Sequence, residues 1–193
     1  MIEVELKSVV DDWSRRRAVV ERAGARLVFD GRLEDRRYDT ADRALAAQDH
    51  VLRLRTYRTA TETHAELDWK GPTRKEHGFK LREELDAQLL DGAALAVILG
   101  RLGYVVTTSI DRRITQYELH GATVRFERYP RLDDLVEVEG TPDDIERAIA
   151  AIGLPRAGYT ADRLSDFVAR YEARTGERAA TCDAALESSQ WHG

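Results

Sequence analysis

The chain opens Met1-Ile2-Glu3-Val4-Glu5-Leu6-Lys7. Its strict alternation predicts a strand with Ile2, Val4 and Leu6 on one face and Glu3, Glu5 and Lys7 on the other. An amphipathic strand ordinarily turns its polar face to water, and this stretch taken alone asks for nothing more. Three later stretches repeat the pattern. Leu52-Arg53-Leu54-Arg55 sets two arginines on one face, Phe79 to Glu84 aligns Lys80, Arg82 and Glu84, and Leu135 to Glu139 aligns Glu137 with Glu139. Like charges two residues apart repel, so a solvated strand face usually mixes signs. Segregated ladders suit a common cavity whose ligand needs both metal cations and an anion clamp.

Composition narrows the field. At 193 residues the chain is long enough for one domain with a real core and short for two. A net charge of −5 argues against a general nucleic-acid binder, which needs a basic surface. The one cysteine, Cys182, excludes an internal disulfide and a cysteine-based zinc site. The five histidines lack His-x-x-x-His spacing, which disfavours a histidine-bound zinc. No apolar run reaches membrane-span length, and the chain enters a charged strand with no signal peptide before it. The expected location is therefore cytoplasmic, with no nucleic-acid or membrane partner; a homodimer stays open.

Along the chain, Asp12 caps a predicted helix to about Ala23, stopped by Gly24. Arg15-Arg16-Arg17 reads as its wet face. Strands are predicted over 25–38, 50–59, 62–70, 77–89, 104–119, 121–129 and 132–139, with turns at Gly71-Pro72 and His120-Gly121. Further helices are predicted from Asp91 to Leu102, from Thr141 to Ile152, and from Thr160 to Arg174 before Gly176. Residues 177–193 are small and polar and predict a frayed tail. The expected fold is α+β: an eight-stranded antiparallel barrel, closed, with a charged interior and helices around it. The competing arrangement is a flat sheet with one wet face. The domain is expected to span residues 1–176.

Two carboxylate pairs, Glu3/Glu5 and Glu137/Glu139, come from opposite ends of the predicted strand set. If those strands are neighbours, the acids converge and demand a cation. Hard oxygen donors in that number suit Mg²⁺ or Mn²⁺. Glu127 offers a fifth acid. The basic set is Lys7, Arg53, Arg55, Lys70, Arg82 and one of Arg112 and Arg113. An oligophosphate uses both sets, with arginine forks on its oxygens and metals on the acidic side.

These elements resemble the CYTH domain, the triphosphate tunnel metalloenzymes, which include class IV adenylyl cyclases, thiamine triphosphatases and inorganic tripolyphosphatases. The resemblance rests on Glu3-x-Glu5-x-Lys7, Tyr38-Asp39-Thr40, Leu52 to Arg55, Trp69-Lys70-Gly71-Pro72, Arg82-Glu83-Glu84 and Glu137-x-Glu139, in order over about residues 2 to 140. Two places depart from the family pattern. Phe126-Glu127 stands where Leu-Asp is usual, and Asp111-Arg112-Arg113 where Lys-x-Arg is usual. The resemblance implies a tunnel holding a triphosphate. It assigns the metal to Glu3, Glu5, Glu127, Glu137 and Glu139, and the phosphates to Lys7, Arg53, Arg55, Lys70, Arg82 and Arg113, with Arg112 kept open. Lys7 with Tyr38 would help activate the attacking water, through a lysine pKa lowered by neighbouring cations. The expected activity is a metal-dependent triphosphatase acting on inorganic tripolyphosphate, thiamine triphosphate or a nucleoside triphosphate. A class IV cyclase making cyclic AMP and pyrophosphate, and a non-catalytic polyphosphate binder, are the alternatives.

Overall fold

The structure is a computed structural model that describes residues 2–188. Nine strands form it: β1 (Ile2–Val9), β2 (Arg26–Asp39), β3 (Val51–Arg58), β4 (Thr63–Lys70), β5 (Arg74–Glu76), β6 (Phe79–Leu89), β7 (Val105–Leu119), β8 (Ala122–Arg128) and β9 (Leu135–Glu139). The helices are α1 (Trp13–Arg22), α2 (Ala44–Ala47), α3 (Gly92–Arg101), α4 (Pro142–Ile152), α5 (Leu164–Thr175) and α6 (Asp183–Ser188).

Neighbouring strands run β1-β9-β8-β7-β2-β3-β4-β6, and β1 pairs with β6 as well. That last pairing closes an eight-stranded antiparallel barrel; β5 is an extra strand on β6. β1 makes the closure by dividing its length. Residues from Ile2 to Glu5 face β6 and those from Glu5 to Val9 face β9. Beyond the end of that β6 pairing, the backbone of Thr160 exchanges two hydrogen bonds with Lys7, at 2.9 and 2.8 Å. Thr160 is therefore extended, and the last long helix starts at Leu164 instead of Thr160.

Alternation separates two environments. The outer faces of β1, β8 and β9 carry Leu6, Val124, Phe126, Val136 and Val138, which pack with Trp13 and Val20 of α1 and Ile145, Ile149 and Ile152 of α4. Trp13 meets Phe126 edge-to-face at 5.7 Å. On another side of the barrel, Leu99 of α3 packs on Tyr38, Leu54 and Ala65. Three predicted caps form: Asp12 accepts from the amide of Arg15, Asp91 from that of Ala94, and Thr141 from that of Asp144.

Two expectations are corrected. Arg16 is not on a wet face. It is buried, forks onto Asp11 at 2.7 and 2.6 Å, and donates to the carbonyls of Ile152 and Gly153, joining α1 to the end of α4. The tail is not frayed from residue 177. Ala180 bridges Arg131, the amide of Asp111 donates to the carbonyl of Thr181 at 2.8 Å, and α6 follows. Residues 189–193 lie outside the described residues.

The packing makes a prediction. Phe126→Ala leaves a void under α1 and should cost about 3–5 kcal/mol, read as a lowered denaturant midpoint with an unchanged slope.

Candidate active site

The strand period that buries Val4 and Leu6 outside turns Glu3, Glu5 and Lys7 inside. β9 adds Glu137 and Glu139, β8 adds Arg125 and Glu127, and β7 adds Arg112. β2 contributes Asp35 and Arg37, β3 Arg53 and Arg55, β4 Asp68 and Lys70, and β6 Lys80, Arg82 and Glu84. All are buried or half-buried. On the β2, β3 and β7 side, the inward positions next to these charges are apolar: Leu33, Tyr57 and Ile114 pack together with Phe29 and fill that end.

Two chambers lie among these side chains. The larger encloses about 510 Å³, and ten basic side chains line it against six acidic ones. The smaller encloses about 190 Å³, with Glu3, Glu66, Asp68, Glu84, Asp86 and Glu139 against two arginines. Arg55 and Arg125 line both. Charge is thus sorted, positive in one chamber and negative in the next.

Ion pairs hold the walls. Arg53 forks onto Asp68 at 2.5 and 2.6 Å. Arg112 donates to Glu127 at 2.9 Å and to Asp35 at 3.0 Å. Glu137 accepts from Arg125 at 2.7 Å and lies 2.7 Å from the Lys7 ammonium. Lys70 holds Glu3 at 2.5 Å and stands 3.0 Å from Glu84; Lys80 holds Glu5. Burial opposes the charge on Asp35, but Arg112, Arg55 and Arg53 outweigh it and hold its carboxyl far below the usual range. Burial likewise opposes the charge on Glu137, and Lys7 and Arg125 hold it low.

The acidic chamber behaves differently. Burial, then Glu3, pushes Glu139 up to about 7. Burial also pushes Glu84 up to about 8, despite nearby Lys70, with Asp68 and Glu3 adding to the shift. Lys70 is shared with Glu3 and does not offset the burial of Glu84. Asp68, under the Arg53 fork, falls to about 2 against its burial. The chamber therefore holds more carboxylate than its arginines neutralise, and all its acidic donors are hard oxygens. Such oxygens suit a hard divalent cation, and Glu3 and Glu139, with Glu5 and Glu137 on the same two strands, are the residues that could hold one. Among the described residues no three such side chains stand together at ligand spacing, because Glu3, Glu5 and Glu137 each hold a lysine or arginine instead. Glu127 is the most committed: it accepts from Arg112, from the Tyr129 hydroxyl at 2.8 Å, and from Lys7 at 3.3 Å.

Three expected site residues change place or role. Tyr38 is outside the barrel, under α3, because the inward position beside it belongs to Arg37. Arg113 also points outward, exposed, to Asp30 at 3.1 Å; Arg112 is the inward member of the pair. Lys7 is no lowered-pKa base. Burial disfavours its charge, but Glu127 and Glu137 raise its pKa well above the ordinary lysine value. Arg82 lines the larger chamber with its guanidinium donating to the carbonyls of Gly71 and Asp49, each at 2.6 Å. Asp35, Arg37, Arg125 and Tyr129 escaped the sequence reading. For Asp35 and Arg37 the signal is there, but Glu34-Asp35-Arg36-Arg37 charges both faces and hides the alternation.

Two predictions follow from this geometry. Arg112→Ala removes one partner each from Asp35, which keeps Arg55, and Glu127, which keeps Tyr129 and Lys7, and should cost about 1–3 kcal/mol, whereas Arg113→Ala should stay within about 0.5 kcal/mol in the same denaturant titration. A carboxyl with a raised folded pKa stabilises the fold at low pH and loses that contribution as pH rises through the raised value. Metal-free protein should therefore lose stability between about pH 4.5 and 8 as Glu139 and Glu84 ionise. Glu139→Gln should melt like the parent at pH 5 and higher than it at pH 8.5.

Comparison with known proteins adds to this geometry. A search of curated proteins finds no match. Among solved structures, PH1819 from Pyrococcus horikoshii OT3 superposes with a TM-score of 0.70 at 20% identity, covering 87% of this chain and 98% of its own. A Vibrio parahaemolyticus protein whose name proposes an adenylate cyclase gives 0.74 at 19%, covering 88% and 98%. HpAC1 from Hippeastrum, a proposed adenylyl cyclase described as having a dominant triphosphatase activity, gives 0.60 at 16%, covering 91% and 96%. The CYTH domain model matches residues 1–152, which include every strand of the barrel, and the chain belongs to the CYTH domain family.

Proposed function

We propose that this chain is a divalent-metal-dependent phosphohydrolase that cleaves a triphosphate, inorganic or organic, in the larger chamber. The observation that carries the reading is the sorting of buried charge: a 510 Å³ space with a basic excess, beside a smaller acidic one. A triphosphate is a compact run of negative oxygens, and the acidic side chains beside it would hold a divalent cation that offsets its charge.

Arg53, Arg55, Arg112 and Arg125 would grip phosphate oxygens. Each is already oriented by a carboxylate, so little freedom is lost when substrate arrives. Lys7 serves as a fixed cation. Glu3 and Glu139, with Glu5 and Glu137, would hold Mg²⁺ or Mn²⁺, which supplies Lewis-acid polarisation of phosphoryl oxygens. Water attacks the terminal phosphorus, the bridging P–O bond breaks, and the products are orthophosphate and a diphosphate. Positioning and charge neutralisation account for the rate in this chemistry.

The test offers tripolyphosphate, thiamine triphosphate and ATP with Mg²⁺ or Mn²⁺ and quantifies every product. Orthophosphate release is expected. Cyclic AMP with equal pyrophosphate would make the chain a cyclase, and tripolyphosphate binding without any product would make it a binding protein. Arg53→Ala should lower kcat/KM at least about 100-fold, a loss of roughly 2.7 kcal/mol. Tyr38→Phe, outside the barrel, should change it less than about twofold, well under 1 kcal/mol.

A further inference from the structure

Arg37 stands apart from the other interior arginines. Arg53, Arg55, Arg112 and Arg125 each hold a carboxylate, and Arg82 holds backbone carbonyls. Its neighbour Arg36, on the outer face, holds Asp111 at 2.7 Å. Among the described residues the Arg37 guanidinium has no hydrogen-bond or ion-pair partner, and its Nε is buried without one. It lines the larger chamber, opposite Arg53 on one neighbouring strand and Thr108 on the other. A half-buried cation without an ion-pair partner destabilises the fold, and neighbouring guanidiniums aggravate it. Burial, then Arg53, pulls its pKa down to about 10, with Asp35 only partly offsetting the effect.

An arginine kept for structure would be held by a carboxylate, as its neighbours are. An arginine kept for a ligand has a reason to be left unmatched. We propose that Arg37 is a substrate-binding residue whose partner is an oxyanion entering the larger chamber. That this oxyanion is a phosphate of the bound triphosphate rests on the function proposed above. Thr108, across the strand pair, also lines the chamber and brings a hydroxyl to the same stretch of wall. The guanidinium supplies two parallel donors to a tetrahedral oxyanion.

The experiment uses the full chain without metal, as Arg37→Met, Arg37→Lys and the parent. Calorimetric titration with inorganic tripolyphosphate and with sulfate gives Kd, and melting without ligand gives Tm. Arg37→Met should bind tripolyphosphate at least tenfold more weakly while melting at the parental temperature or higher. Arg37→Lys should recover part of the affinity. A Met variant with parental affinity overturns the proposal, as does one that melts lower than the parent. If the parent binds sulfate through Arg37 but not tripolyphosphate, the triphosphate reading fails and the role of Arg37 stands. A parent that binds neither anion overturns both.

Discussion

Everything inside this barrel answers to the cost of removing charge from water. Isolated ions lose several kcal/mol on entering a protein interior, and their attraction offsets this only where partners are close and well oriented. The walls meet that condition through cross-strand pairing. Arg53 faces Asp68, Arg125 faces Glu137, and Lys7 faces Glu137 directly across their ladders. Register is therefore an electrostatic requirement as well as a hydrophobic one. A slip of one residue would bury Val4 and Leu6 in the chambers and turn the charges into the apolar shell beneath α1 and α4.

The same accounting separates structural charge from working charge. Where matching is complete, as at Glu127 with Arg112, Tyr129 and Lys7, the group is locked in place. Mismatch concentrates in two places: an acidic chamber in which burial pushes Glu139 and Glu84 up, and an unmatched guanidinium in the basic one. Such groups are what a metal and an anion would neutralise together. The protein thus stores, in its own wall, the electrostatic complement of the species it is proposed to bind.

Much of this was legible from the chain alone. Alternation identified the ladders of Glu3, Glu5 and Lys7, of Arg53 and Arg55, and of Glu137 and Glu139; these suggest a barrel but do not separate it from a flat sheet, which the β1–β6 pairing decides. Helix caps at Asp12, Asp91 and Thr141 were also readable, since a cap is a local bond between near neighbours. What failed was choosing a face where charge occupies both. Tyr38 beside Arg37, and Arg113 beside Arg112, differ by one position, and only strand pairing decides which points inward. Arg16 was misread because its carbonyl acceptors, on Ile152 and Gly153, lie far along the chain. The ordering of residues 177–188 depends in the same way on distant Asp111 and Arg131.

The double pairing of β1 has a bearing on assembly in time. β1 leaves the ribosome before its partners β6 and β9, the second of which begins only at Leu135. Such distant pairing slows folding, because loop closure must precede the contacts that reward it. For most of synthesis β1 is an exposed edge, the kind of segment that recruits other chains. Its alternate residues, Glu3, Glu5 and Lys7, are charged, and charge on a waiting strand discourages intermolecular sheet growth. The ladder that later faces the chambers therefore also guards the nascent chain against aggregation.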